Sequence, residues 1–142
     1  MNGDDDMIYN FRGDYRWLSN FAPVDIVFEG GFYPSVENAY QAAKTLDKNA
    51  RGMFEDASPA SAKKMGRRVK LRDDWMKQRL PIMNHLVLQK FMHGRYEVKL
   101  IATGNEDIVE GNNWGDTYWG VCNGVGENNL GKILMKVREM IS

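Results

Sequence analysis

Apolar side chains near the C-terminus recur with the period of an amphipathic helix. The residues concerned are Leu130, Ile133, Leu134, Val137 and Ile141. Their spacing of i, i+3, i+4, i+7 and i+11 places them on one helix face, which is expected to be buried. Asn128 or Asn129 is suited to cap the start of this helix.

A short strand and a hairpin are predicted in the first quarter of the chain. Residues 24–28 are rich in β-branched and aromatic side chains, which favour a strand. Gly30-Gly31 then predicts the turn of a hairpin into residues 32–33.

Two helix start signals follow the hairpin. Ser35 is a good N-cap for a helix from residue 36 to about residue 47. Ser58-Pro59 repeats the signal, with proline at the first helical position, for a helix that reaches about residue 68.

A longer helix is predicted in the middle of the chain. Asp73 or Asp74 opens it, and it continues towards His93. Pro81 is expected to kink or interrupt this helix, because proline removes a backbone donor. Gly94 is expected to end it.

One more helix and a long loop complete the pattern. Residues 96–103 are predicted to be helical, ending at Gly104, and residues 105–126 form a Gly- and Asn-rich aromatic loop. An ordered loop of this length in a small domain is usually functional.

The sequence thus predicts an α+β fold, mainly helical, with a few short strands. Residues 1–7 are expected to be a flexible tail and residues 8–142 one compact domain.

Composition narrows the class of protein. The chain has 142 residues, a single cysteine and two histidines, which excludes a disulfide framework or thiolate zinc cluster and leaves little for a histidine metal site. We therefore expect no metal and no cofactor.

No apolar run approaches the ~20 residues of a membrane helix, and the first residues are acidic, unlike a signal peptide. We expect a cytoplasmic protein without a membrane partner.

The net charge of zero hides an asymmetry. Residues 61–80 carry eight Lys and Arg against two Asp, a net charge of +6, and residues 101–130 carry five acidic residues and no Lys or Arg. Such a pair of segments suits a site that holds a phosphate beside acid–base groups. From charge alone, two ordinary solvated faces are the favoured interpretation.

One predicted helix carries a polar stripe. Glu37, Tyr40, Gln41 and Lys44 are spaced i, i+3, i+4 and i+7, so all four lie on one face. A carboxylate beside an amine can tune the pKa of the amine and move protons. A solvated Glu-to-Lys stripe with Tyr40 half buried is the equally weighted alternative.

The long loop supplies a second group of polar and aromatic residues. Glu110, Asp116 and Trp119 lie among glycines that allow a close approach to a ligand, and aromatic stacking is a usual way to hold a base. Trp114 is expected to belong to the core. Gly124-Val125-Gly126, ahead of the last helix, has the form of a phosphate-binding turn.

The ordered set of motifs resembles the NADAR, or YbiA-like, N-glycosidase family from about Tyr9 to Ile141. The matching pieces in this sequence are Leu18-Ser19-Asn20-Phe21, Tyr33-Pro34-Ser35-Val36-Glu37, Ala39-Tyr40-Gln41-Ala42-Ala43-Lys44, Ala62-Lys63, Gly66-Arg67, Trp75, Arg79, Met83, Lys90-Phe91, Leu100, Thr103-Gly104, Val109-Glu110, Asp116, Trp119-Gly120, Gly126, Asn128, Leu130-Gly131, Leu134-Met135 and Arg138.

The resemblance implies a mainly helical domain that cleaves an N-glycosidic bond on a ribose. The known substrate classes of this family are phosphorylated pyrimidine intermediates of riboflavin synthesis and ADP-ribose attached to guanine. Residues 110–116 have a longer, more glycine-rich spacing than in the riboflavin-linked members, so the substrate stays open. By this resemblance, the functional positions of the family correspond here to Glu37, Lys44, Trp75, Asp116 and Trp119.

We therefore predict roles for twelve residues. Glu37 and Asp116 form the acid–base pair, and Lys44 either attacks C1′ as a Schiff-base amine or pairs with a phosphate or carboxylate. An attacking Lys44 needs a lowered pKa, from burial or a nearby cation, while Glu37 acts in the opposite direction. The predicted substrate-binding residues are Asn20, Tyr40, Gln41, Lys63, Arg67, Trp75, Trp119, Gly120 and Asn128.

Two other classes of function compete with the enzyme. A non-catalytic module that binds ADP-ribose or NAD would use the same aromatic and basic residues without needing Glu37 and Lys44 on one face. The basic segment supports nucleic-acid binding, but the net charge of zero and the acidic loop argue against a broad affinity for nucleic acids. The expected partner is a small ribosylated base or ADP-ribosylated guanine, and a modified base carried on a nucleic acid stays open.

Overall fold

The computed structural model describes residues 7–142. Its elements are β1 (Met7–Tyr9), a 3-10 helix (Gly13–Leu18), β2 (Ile26–Phe28), β3 (Gly31–Tyr33), α1 (Val36–Ala43), α2 (Lys48–Met53), α3 (Pro59–Met65), α4 (Trp75–Phe91), α5 (Gly94–Ala102), β4 (Asp107–Val109), β5 (Gly111–Asn112), β6 (Val121–Cys122) and α6 (Asn129–Ile141). The fold is α+β and mainly helical, as predicted. The predicted tail lies outside the described residues except for Met7, which begins β1.

The chain divides into two compact units. Among the described residues, the first contains residues 7–19 together with Phe91–Ser142, and the second is Asn20–Lys90. The prediction of one domain over 8–142 stays a prediction, and the two units are described separately below.

The second unit begins with the predicted hairpin. β2 and β3 pair antiparallel, with Val27 opposite Phe32. The turn is Glu29-Gly30, one residue earlier than predicted, and both residues have positive φ, as in the turns that match strand twist. Side chains occupy both outer edges of this pair: Gln89 bonds the N–H and C=O of Val27, and Glu55 accepts from Phe32 N.

Helix α1 is the centre of the second unit, since it contacts α2, α3, β2 and β3. Ser35 caps it as predicted, accepting from Asn38 N at 3.1 Å. The helix ends at Ala43 and not near residue 47, because Asp47 is itself an N-cap, with Oδ1 accepting from Asn49 N and Ala50 N. The helix that Asp47 starts, α2, was not predicted.

Two predicted breaks in the middle of the chain are not observed, and the alternative of a kink at Pro81 stays a prediction. Helix α4 runs through Pro81 without interruption. Pro81 and Lys77 are both exposed, so the Lys77 carbonyl that loses its donor lies on the solvent side, where water can satisfy it. Gly94 begins α5 instead of ending α4, because His93 O accepts from Tyr96 N and Glu97 N.

In the first unit, β1 pairs parallel with β4, and α6 packs against β4 and α5. The predicted apolar face of α6 is buried from Leu130 to Val137. The predicted loop 105–126 is wrong in part, because it contains β4, β5 and β6. Strands of two or three residues are too short for an alternating pattern to reveal.

Candidate active site

The polar stripe of α1 is buried. Glu37, Tyr40 and Gln41 are at most 8% exposed, and Lys44, the C-cap residue, is partly exposed. The alternative of a solvated stripe is therefore wrong. A buried carboxylate, phenol and amide on one helix face, next to a partly exposed amine, are unusual for a core helix, so this face has the character of a site.

Lys44 is held in an environment that disfavours its charge. Burial lowers the pKa of its ammonium below the ordinary value, the Glu37 carboxylate opposes this shift, and Arg67 and Lys63 add to the lowering. The Lys44 Nζ atom lies 5.8 Å from the centre of the Tyr40 ring. Both influences that an attacking amine would need, burial and nearby cations, act on this one side chain.

The carboxamide of Gln41 lies beneath Gly66. A Cβ atom at Gly66 would overlap the Gln41 side chain, so any other residue at this position would require the Gln41 carboxamide to move. Gln41 Oε1 is buried and accepts no hydrogen bond from any of residues 7–142. A buried acceptor without a donor costs about 1–3 kcal/mol.

The ring of Tyr40, a member of the stripe, packs against the ring of Trp75. Trp75, the first residue of α4, is 5% exposed. Its ring centre lies 5.2 Å from that of Tyr40, and the planes are tilted by 54°. Within the second unit, Trp75 packs against Tyr40 and supports its position. The predicted contact of Trp75 with a base stays a prediction.

The start of α1 is anchored through Asn20 and Asn38. Glu37 N donates to Asn20 O at 3.0 Å, and Asn20 Nδ2 contacts Met83 Sδ at 3.6 Å. The fully buried Asn38 donates to Phe54 O and Ala57 O at 2.9 and 2.8 Å. Sequence reasoning missed Asn38, because only the fold brings its partners, Phe54 O and Ala57 O, to it.

Arg72 is a second missed residue. Its N–H donates to Lys44 O at 2.7 Å, which joins the basic segment to the end of α1. Its guanidinium bonds the Asp74 carboxylate at 2.6 and 3.2 Å, and these bonds lower the pKa of Asp74.

In the first unit, Asp116 organises the turn that carries Trp119. Its Oδ1 accepts from Tyr118 N and Trp119 N at 3.1 and 2.9 Å. Asn112 bonds both the N–H and the C=O of Asp116 and also reaches Glu110 Oε2 at 3.2 Å. The Trp119 and Tyr118 rings meet edge to face at 4.8 Å.

Gly120 and Asn128 support the same region. A Cβ at Gly120 would overlap the Glu110 carboxylate and backbone, so glycine is required there. Asn128 accepts from Glu110 N and donates to Ile108 O. Both residues hold Glu110 in place, and their predicted contacts to a substrate stay predictions.

The predicted phosphate turn at 124–126 is wrong. Four N–H groups at the start of α6, those of residues 127–130, donate to the carbonyls of residues 117–120. The donors that a phosphate would need at this helix start are already used. Asn128 caps α6 by position, with φ of 54°, while its side chain bonds elsewhere.

Trp114 is not a core residue. Its side chain is 52% exposed, contrary to prediction, because it follows Asn113 and precedes Gly115 in an exposed segment.

The predicted site residues fall into two groups. Glu37, Tyr40, Gln41, Lys44, Lys63, Arg67, Trp75 and Asn20 belong to the second unit, and Asp116, Trp119, Gly120 and Asn128 to the first. The pairing of Glu37 with Asp116 therefore stays a prediction.

Across residues 7–142, no cluster of three or more His, Cys, Asp or Glu side chains is arranged to hold a metal ion. None of the helices in this part of the chain has the length and apolarity to cross a membrane.

Comparison with known proteins gives a consistent picture. A family model described as the NADAR domain matches residues 9–142. The chain is 38% identical over 139 residues to N-glycosidase YbiA of Shigella flexneri, covering 94% of this chain and 86% of that protein. It is 37% identical over 141 residues to N-glycosidase Npun_R5314 of Nostoc punctiforme, covering 94% and 90%.

A larger protein and a solved structure extend the comparison. The riboflavin biosynthesis protein VVA0006 of Vibrio vulnificus is 34% identical over 93% of this chain, which spans 38% of that protein. The NMR structure of the Escherichia coli protein YbiA matches with a TM-score of 0.85 and 34% identity, covering 96% of this chain and 85% of the other.

Proposed function

The chain belongs to the NADAR domain family, and on that basis we propose that it is an N-glycosidase, a hydrolase that cleaves the bond between C1′ of a ribose and a base nitrogen. The observation that carries this proposal is the buried stripe of α1, where Glu37 and an amine of lowered pKa, Lys44, share one face. A module that only binds ribose phosphates has no need of either feature.

The substrate we propose carries phosphate on its ribose, as a ribosylamino-pyrimidine phosphate or as an ADP-ribosyl group on guanine. Lys63 and Arg67 act electrostatically on Lys44, so a phosphate bound by these two cations would bring its sugar to the stripe. The name of the Vibrio vulnificus relative, a riboflavin biosynthesis protein, supports the first of these substrates.

In the mechanism we propose, the neutral amine of Lys44 attacks C1′. The C1′–N bond breaks, its electron pair leaves on the base nitrogen, and one of the carboxyl groups of Glu37 and Asp116 protonates the departing base. The ring then opens: O4′ takes the proton from the Lys44 nitrogen, leaving an imine at C1′. Water, deprotonated by the other carboxylate, adds to the imine carbon, and Lys44 departs as the amine while the ribose closes.

Direct attack by water is the alternative route. Lys44 would then pair with a phosphate or carboxylate, and the two carboxyl groups would stabilise an oxocarbenium-like transition state. Borohydride separates the two routes, because it reduces an imine and traps a covalent adduct on Lys44. Lys44→Arg keeps the charge but forms no imine, so it should lose turnover and the adduct on the first route. Activity close to wild type without an adduct supports direct attack by water.

The test of the proposed function is release of free base. Purified protein is incubated with ribosylated bases of both classes, and mass spectrometry detects the base and the ribose product. Glu37→Gln, which is nearly isosteric, should lower turnover by about 100-fold or more while the melting temperature stays close to wild type. Glu139→Gln, at an exposed position, is the matched control and should retain activity. Binding of ADP-ribose by the wild type without release of any base would establish the binding module instead.

A further inference from the structure

The turn that carries Asp116 is tied to the neighbouring strand by one amide side chain. Asn112 lies in β5, where it pairs with Cys122 of β6, so its backbone belongs to a strand pair. Its Oδ1 accepts from Asp116 N at 3.1 Å, and its Nδ2 donates to Asp116 O at 2.8 Å. Both main-chain groups of Asp116 are therefore bonded to the same side chain, which fixes the orientation of this residue relative to β5.

The Asn112 carboxamide is itself held by a third contact. Its Nδ2 lies 3.2 Å from Glu110 Oε2, so the two N–H groups of this nitrogen serve the carboxylate and Asp116 O. The backbone of Glu110 is also fixed, because Glu110 N donates to Asn128 Oδ1 and Glu110 O accepts from Val121 N, each at 2.9 Å. Polar networks whose members are satisfied are rigid, so Asn112 transmits the position of the strands to Asp116.

The two oxygens of the Asp116 carboxylate are used differently. Oδ1 accepts from Tyr118 N and Trp119 N at 3.1 and 2.9 Å, whereas Oδ2 takes part in no hydrogen bond within residues 7–142. Asp116 is partly exposed, and Oδ2 does not belong to the buried side-chain atoms that lack a partner in this part of the chain. Water or a substrate can therefore reach Oδ2, whose direction follows from how the rest of Asp116 is held.

We propose that Asn112 is a positioning residue for the N-glycosidase reaction, which holds Asp116 so that Oδ2 keeps the orientation needed to transfer a proton. The inference rests on the proposed function, and it adds a residue that acts on the reaction only through Asp116. Proton transfer requires the two heavy atoms to lie within hydrogen-bond reach in the transition state. A displacement of about 1 Å can lower a rate by about 100-fold, so the bonds from Asn112 matter for turnover as well as for stability.

The first test is the effect of Asn112→Ala on base release. Because Asn112 acts through Asp116, kcat should fall by about 10- to 100-fold, and KM should change by less than about threefold, since no contact to the substrate is removed. Asn129→Ala is the matched control, because Asn129 Nδ2 donates to Tyr118 O at 2.9 Å in the same turn without bonding Asp116. It should lower the melting temperature and leave kcat within about twofold of the wild type.

A double-mutant cycle separates positioning from a general loss of structure. Asp116→Asn keeps an acceptor for Tyr118 N and Trp119 N but transfers no proton, so it should lower kcat by about 100-fold or more. In that background, Asn112→Ala should lower kcat by less than about twofold further, because the group that it positions is already inactive. Asn112→Asp keeps an acceptor for Asp116 N and cannot donate to Asp116 O. It should show the same coupling, and it takes the place of Asn112→Ala if that variant does not fold.

Amide hydrogen exchange tests the same relation without substrate. In Asn112→Ala, the amides of Tyr118 and Trp119 should exchange several-fold faster than in the wild type, while the amides in the middle of α6 should be unchanged. Three results each overturn the inference: a kcat close to wild type in Asn112→Ala, losses that multiply in the double variant, or unchanged exchange at Tyr118 and Trp119. A wild type that releases no base overturns the proposed function and this inference together, so the wild type alone distinguishes the two failures.

Discussion

Lys44 experiences opposing electrostatic influences that a pH profile can separate. Burial, Arg67 and Lys63 lower the pKa of its amine, and Glu37 raises it. If the neutral amine attacks C1′, kcat should rise with pH, with a midpoint below the ordinary lysine value. Arg67→Gln removes one lowering influence, so the midpoint should move to higher pH, measured at saturating substrate. A midpoint that is unmoved or shifted to lower pH would contradict an attacking Lys44.

The same residue links pH to stability. Because the pKa of Lys44 is lower in the folded protein than in the unfolded chain, the unfolded chain binds more protons in the interval between the two values, and the free energy of unfolding rises with pH there. Lys44→Met removes this partly buried charge. It should stabilise the protein most below the folded pKa, and the gain should shrink as pH rises through that value. Urea titrations at several pH values measure this, with the exposed Lys48→Met expected to show no such trend.

At the scale of elements, Asn38 joins α1 to the connection between α2 and α3. Asn38→Ala removes two bonds to backbone carbonyls, Phe54 O and Ala57 O, in a fully buried position. It should lower the free energy of unfolding by about 2–5 kcal/mol. Ser35→Ala, which removes mainly the helix cap, should cost only about 1 kcal/mol. Urea denaturation measures both, and equal losses would mean that Asn38 acts only at the cap.

The turn before α6 allows a comparison of two glycines. Gly124 has φ of 77° with open space around its Cβ direction, whereas at Gly126, with φ of 155°, a Cβ would overlap Gly120 O. Gly124→Ala should therefore cost about 1–2 kcal/mol from strain alone. Gly126→Ala should cost clearly more, because the chain of bonds between residues 117–120 and 127–130 would have to shift. Melting temperatures of the two variants compare them directly, and a larger loss for Gly124→Ala would contradict this account.

At the scale of the whole molecule, the uneven charge distribution should control capture of substrate. The net charge is zero, yet residues 61–80 carry a net charge of +6, and such a segment attracts an anionic substrate over about a Debye length. We expect kcat/KM to fall several-fold between about 0.03 and 0.3 M salt, with kcat changing less. Exposed Lys64 and Arg68 contribute to this field, so Lys64→Gln with Arg68→Gln should flatten the salt dependence. A kcat/KM insensitive to salt would remove the role of the basic segment.

Features that depend on neighbouring residues could be predicted from the amino-acid sequence. The Ser35 and Ser58 caps, the hairpin and the apolar face of α6 were all predicted correctly in type and approximate position, because a cap, a turn or a helix face involves residues only a few positions apart. The stripe on α1 could be identified for the same reason, and so could the family, whose motifs lie in a characteristic order.

Which of these features are buried, and which hydrogen-bond donors are already used, depends on tertiary packing. The spacing on α1 fits a solvated stripe as well as a buried site, and the difference arises from α2, α3 and the hairpin packing around that helix. The start of α6 looks like a phosphate site until residues 117–120 take up its N–H groups. Gly66 over Gln41 and the lowered pKa of Lys44 likewise depend on contacts between residues far apart in the chain. Burial and hydrogen-bond satisfaction are properties of the packed molecule, and no local pattern of residues contains them.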